Sequence, residues 1–138
     1  MPLLFDRKHI KVDVVLIQVS PPDKFGFCSM GVSVEASKSA IRNAKYVIAK
    51  VNRQMPRTYG DALLHVDEID FLVEHDAPIF SLHLTEPNAI ETQIARHIVP
   101  LIEDGSTLQL GIGNIPNATL AEMGHLKNLG IHTELLTE

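Results

Sequence analysis

The run Val12–Val19, VDVVLIQV, most constrains what this chain can fold into. It is short, mostly apolar and rich in β-branched residues, which suits a strand buried in a parallel sheet. Ser20-Pro21-Pro22-Asp23 and then Gly26 break it sharply. A parallel neighbour needs a crossover, so the segment that follows should supply a helix and a second strand. Ala36, Ala40, Ile41 and Ala44 recur at helical spacing within Val34–Lys45, and Tyr46–Val51 reads as the second strand. Ile69–Val73 reads as a third.

The later half repeats the alternation. His75–Asn88 carries two prolines and no clear period, as a linker does. Ala89–Ile102 predicts a helix whose apolar stripe is Ile90, Ile94, Ala95, Ile98, Leu101 and Ile102. Thr85 is a candidate cap, Pro87 suits a first turn, Pro100 should disturb the last turn, and Gly105 suits a left-handed stop. Thr107–Leu110 then predicts a strand, Gly111–Asn114 a glycine loop, and Pro116–Leu126 a helix capped by Asn114. Ile131–Leu136 predicts a last strand after the Asn128-Leu129-Gly130 turn. The first predicted element is thus a strand, and the sequence stops two residues after the last one. The fold class is α/β, with mostly parallel sheets and flanking helices.

Composition removes several functions. A net charge of -5 over 138 residues, with no basic run, argues against nucleic acid and anionic membranes as partners. The aliphatic run Val14–Ile17 is far too short to span a membrane. Cys28 is the single cysteine, which excludes an internal disulfide framework and fits a reducing compartment. The opening MPLLFDRKHI lacks the charged-then-apolar pattern of a signal peptide, so a cytoplasmic location is expected. The seven histidines show no metal-ligand spacing, and no metal is expected.

Three segments could carry chemistry. Gln109–Ala118, QLGIGNIPNA, runs from strand through glycine loop to helix start. Glycines there let a ligand approach the backbone, and the helix start adds unpaired N–H groups and a positive dipole end. The same pattern also serves as a tight turn with no ligand. Pro116 stands where a dinucleotide fingerprint needs its third glycine, which disfavours nucleotide binding. Glu134 lies in an apolar strand pattern. On an outer sheet face it would be inert; in a cleft, partial burial would raise its pKa and make it a candidate nucleophile or base. Asn52-Arg53-Gln54-Met55-Pro56 follows a strand end, where α/β sheets place their site loops, though an ordinary loop looks the same.

Four segments taken in order resemble the acetyl-CoA hydrolase/transferase family, most closely its 4-hydroxybutyrate or acetate CoA-transferase branch. They are VDVVLIQVSPPDKFGFCSMGVSVEASKSAI, VNRQMPRTYGDALLHVDEIDFLVE, LIEDGSTLQLGIGNIPNATL and GIHTE. The resemblance implies two similar α/β domains with an active site between them. Residues 1–84 correspond to the later part of the first domain, and 85–138 to the start of the second. It implies that Glu134, in the GIHTE segment, is the catalytic nucleophile, working through an acyl-glutamyl anhydride and a glutamyl-CoA thioester. It implies backbone N–H groups at Leu110 and Gly111 as oxyanion donors. Gln109, Gly113, Asn114, Ile115 and Pro116 would line the acyl or pantetheine channel, and Asn52, Gln54, Met55 and Pro56 would face it from the first domain. Coenzyme A enters as co-substrate, with acyl-CoA and a short carboxylate as partners and no permanently bound cofactor.

Family members are much longer. The downstream glycine-rich segment that resembling enzymes use for CoA has no counterpart here. Little or no turnover is therefore expected of this chain alone, which reads as an internal fragment of two domains. An acetyl-CoA hydrolase on the same glutamate and a non-catalytic α/β interaction module are the alternatives. Apolar faces left uncovered should drive association, as a homo-oligomer or otherwise.

Overall fold

The computed structural model describes residues 1–81 and 85–133. It divides into two compact units, Met1–Phe80 and Ser81–Glu138.

The first unit is built on helix α1 (Pro2–Asp6), strands β1 (Val12–Val19) and β2 (Phe27–Ser29), helix α2 (Ser37–Asn43), strands β3 (Ala44–Val51) and β4 (Leu63–His65), a single 3-10 turn and strand β5 (Phe71–Glu74). The three longer strands form a parallel sheet in the order β1-β3-β5. Val15 pairs with Val47, Ile17 with Ala49 and Val19 with Val51, so these residues share one face. That face meets Cys28, Met30, Ile41 and Leu64, and together they make the core. β2 and β4 pair antiparallel, and Asp6 ties α1 to α2 through Ser39, Arg42 and Asn43.

The parallel pairing of β1 follows from its composition, but only one of its faces is covered. Val14 and Leu16 on β1, Tyr46 on β3, and Phe71 and Val73 on β5 lie on the opposite face, with Leu16 75% exposed. The opening helix α1 stands where the sequence pattern suggested a strand first. β2 and β4, three residues each, carry no period long enough to read.

The second unit contains helix α3 (Ala89–Ile98), a 3-10 turn at Val99–Leu101, strand β6 (Thr107–Leu108), helix α4 (Asn114–Glu122) and strand β7 (Gly130–Ile131). β6 and β7 pair parallel, with Thr107 opposite Gly130 and Leu108 opposite Ile131. α3 is shorter than predicted because Pro100 lacks an N–H, and the chain tightens to a 3-10 turn around it. Its cap is Asn88, not Thr85: the Asn88 side chain accepts from Ile90 and Glu91, and Glu91 reaches back to the Asn88 N–H at 2.8 Å. Only Ala95 and Val99 of this segment are buried, and Leu101 is 80% exposed. α4 starts two residues before the predicted Pro116, with Gly113 at the cap position and Asn114 already in the first turn. It ends at Glu122 rather than Leu126.

Candidate active site

β6 ends at Leu108, and Gln109–Ile112 leaves it as an open loop that enters α4 at Asn114. The backbone turns at Gly113, where φ is +134° and ψ -179°, a conformation that favours glycine. Gln109, Gly111, Ile112 and Ile115 are exposed; Leu110, Gly113, Asn114 and Pro116 are half-buried. Asn114 is held from two sides. Its amide donates to Glu91 Oε1 at 3.3 Å, and its carbonyl oxygen accepts from the Thr85 hydroxyl at 3.2 Å. Glu91 is also the capping residue of α3, so the first turns of α3 and α4 are joined through one carboxylate.

The end of β7 is fixed to the same loop. His132 donates its N–H to Leu108 O at 2.8 Å. The Thr133 hydroxyl then donates to Leu110 O at 2.8 Å and accepts the Leu110 N–H at 3.3 Å. Among the described residues the Gly111 N–H carries no hydrogen bond, so of the two expected oxyanion donors it is the open one. Thr133 was not singled out in the sequence, where a lone threonine in a strand pattern carries no signal. Glu134, the expected nucleophile, lies outside the described residues.

In the first unit the expected site loop is largely structural. Asn52 is 0% exposed, and all its polar capacity is used. Nδ2 donates to Ala77 O at 2.8 Å and Gln18 Oε1 at 3.3 Å; Oδ1 accepts from Gln54 N at 3.0 Å and Ala77 N at 3.3 Å. Met55 is buried against Gly31, whose φ of +60° and close approach to the Met55 side chain leave no room for a Cβ. Gln54 and Pro56 are exposed.

The same loop is clamped further along. Arg57 Nη2 lies 2.7 Å from Asp23 Oδ2, and its Nη1 donates to Phe27 O at 3.1 Å. Asp23 accepts the N–H groups of Phe27 and Phe25, and these bonds together with the Arg57 guanidinium hold its carboxyl below the usual carboxylate range. A cleft of about 280 Å³ opens beside the loop at the ends of the parallel strands, between Pro21, Pro22, Arg53, His75 and Asp76. Cys28 is buried in β2, and burial pushes its thiol up, away from nucleophilic use. Among the described residues no group of three or more His, Cys, Asp or Glu is placed to hold a metal ion. No described helix is long and apolar enough to cross a membrane.

The order of segments, the parallel sheet and the glycine loop at the start of α4 define a known class. The pattern of the acetyl-CoA hydrolase/transferase N-terminal domain matches residues 3–83, and the chain belongs to that family. It is 50% identical to the 4-hydroxybutyrate coenzyme A transferase of Clostridium kluyveri, over all of this chain and 32% of the relative. It is 44% identical to the succinyl-CoA:acetate/propanoyl-CoA:succinate CoA transferase of Fasciola hepatica, over all of this chain and 29% of that protein. The crystal structure of 4-hydroxybutyrate CoA-transferase from Porphyromonas gingivalis superposes with a TM-score of 0.91 at 42% identity, covering this whole chain and 35% of the other. The chain thus spans about a third of the length of the curated relatives it matches.

Proposed function

We propose that the protein carrying this chain is a cytoplasmic CoA-transferase. It moves CoA between a short-chain acyl-CoA and a carboxylate such as acetate or 4-hydroxybutyrate, with Glu134 as nucleophile. The observation that carries this reading is the glycine loop. An open Gly111 N–H sits beside a strand end, fixed through Thr133, that leads directly into Glu134. The names of the relatives support the substrate class.

The Glu134 carboxylate attacks the thioester carbonyl, and the tetrahedral oxyanion takes the Gly111 N–H. The C–S bond breaks, CoA leaves as the thiolate, and an acyl-glutamyl anhydride remains. The thiolate attacks the glutamyl carbonyl, the acyl group leaves as its carboxylate, and a glutamyl-CoA thioester forms. An incoming carboxylate runs these steps backwards and departs as its CoA ester. Each step exchanges one activated acyl bond for another, so the thioester's energy survives only while water is excluded.

Residues 1–84 serve in this scheme as the later part of a first domain and 85–138 as the start of a second, a reading supported by the extent of the family match. Gln109, Gly113, Asn114, Ile115 and Pro116 line the acyl or pantetheine path. Gln54 and Pro56 are the first-unit residues free to face substrate, while Asn52 and Met55 hold their loop. The 138-residue chain alone, a third of its relatives' length, is expected to show little turnover.

Borohydride trapping of the glutamyl-CoA thioester on the full natural polypeptide tests the mechanism. Reduction at Glu134 is the expected result, and its absence in acyl-CoA-treated protein overturns the reading. The family description also spans hydrolases. Acyl-CoA consumption that proceeds equally with and without acetate would identify water, not a carboxylate, as the acceptor.

A further inference from the structure

Resting on that reading, we propose that Thr133 is a positioning residue for the transfer reaction. Its hydroxyl fixes the Leu110–Gly111 peptide, which carries the open N–H of the glycine loop. Among the described residues the β6–β7 ladder is two residue pairs long. Its acceptors advance two residues at a time: Gly130 N–H donates to Ser106 O at 2.9 Å, and His132 N–H to Leu108 O at 2.8 Å. Leu110 O is the next acceptor in that series, and the Thr133 hydroxyl takes it at 2.8 Å. A side-chain bond thus joins the end of β7 to the loop beyond Leu108.

The hydroxyl can do this because it both donates and accepts. It gives its proton to Leu110 O at an ordinary O–H···O distance and receives the Leu110 N–H at a long 3.3 Å. Both main-chain polar groups of Leu110 are therefore committed to one atom. The peptide plane ahead of Gly111 is held in one orientation, which aims the Gly111 N–H. A catalytic group misplaced by about 1 Å loses rate on the order of 100-fold, which is the scale on which such an anchor acts.

The test compares Thr133→Val, Thr133→Ser and Glu134→Gln in the full natural polypeptide, with acetate and a short acyl-CoA as substrates. Thr133→Val keeps shape and removes the hydroxyl. It is expected to lower kcat on the order of 100-fold while KM for acyl-CoA stays within about two-fold, since substrate binding is untouched. Thr133→Ser restores the hydroxyl and should recover most of kcat. Amide hydrogen exchange at Leu110 should accelerate in the valine variant and not in the serine variant. A valine variant with wild-type kcat, or a serine variant as impaired as valine, overturns the proposal. Wild-type turnover that survives Glu134→Gln overturns the functional reading instead. Leu110 exchange still judges the anchor in that case, and equal protection in wild type and Thr133→Val rejects it.

Discussion

The loop after β3 hangs on a buried amide, whereas the loop after β6 hangs on a half-buried hydroxyl and a glycine. Asn52 satisfies four hydrogen-bonding positions inside a core that also holds Val19, Met30 and Leu64. The second unit buries only a few residues, Ala95, Val99, Ala118, Thr119 and Met123 among those described, and leaves the loop between β6 and α4 largely open. The difference is one of hydrogen-bond saturation. The Asn52 amide has its polar atoms spent on Gln18, Gln54 and Ala77. Among the described residues the second loop keeps the Gly111 N–H without a hydrogen bond, on a peptide whose Leu110 carbonyl is held by Thr133.

The comparison breaks most readily at Asn52. Asn52→Asp keeps the shape but turns the donors facing Ala77 O and Gln18 into acceptors. A cost of about 3 kcal/mol or more is expected at neutral pH, read as a lowered denaturant midpoint for the first unit. A near-neutral effect would mean that the loop is not held by its amide. Leu64→Ala removes a fully buried side chain from the same core and should cost about 2–5 kcal/mol. Equal loss from truncating the exposed Leu101 would erase the contrast between the units.

Asn88→Ala should cost about 1 kcal/mol by opening the capping box of α3. Because Glu91 also receives the Asn114 amide, exchange at the start of α4 should rise with it. Smallest is the acid response of the Asp23 clamp. The folded carboxyl sits below its ordinary value, so its contribution is fully present above about pH 3.9 and is lost as pH falls through the lower folded value. Asp23→Asn should flatten the stability profile of the first unit in that acid range and leave the second unit's unchanged.

Much of this was legible from local pattern. β1 could be read from its β-branched run, and β3 from the short apolar segment after a helix. The Asn88 capping box stands in the sequence as Asn-x-x-Glu ahead of an apolar stripe, where the expectation had placed the cap at Thr85. Gly113 took the cap position from Asn114 because a positive φ was needed at the turn. β2 and β4 were not legible, since three-residue strands exist only through each other.

At the site, the glycine loop showed itself in the spacing of its glycines. Glu134 stood out as a carboxylate in an apolar strand pattern, and the family resemblance gave it the nucleophile's role. The burial of Asn52 and the Thr133–Leu110 contact depend on segments more than twenty residues apart, so no local period announces them.

Cys28 gives the first unit a clock. It is the chain's one thiol, and it sits in the core at 0% exposure with its proton held by burial. An alkylating reagent reaches it only when β2 parts from β4, so the labelling rate reads the opening free energy of that unit directly. The second unit has no cysteine to blur the signal. Every change at Asn52, Leu64 or Asp23 can be followed as a change in one rate at one sulfur atom.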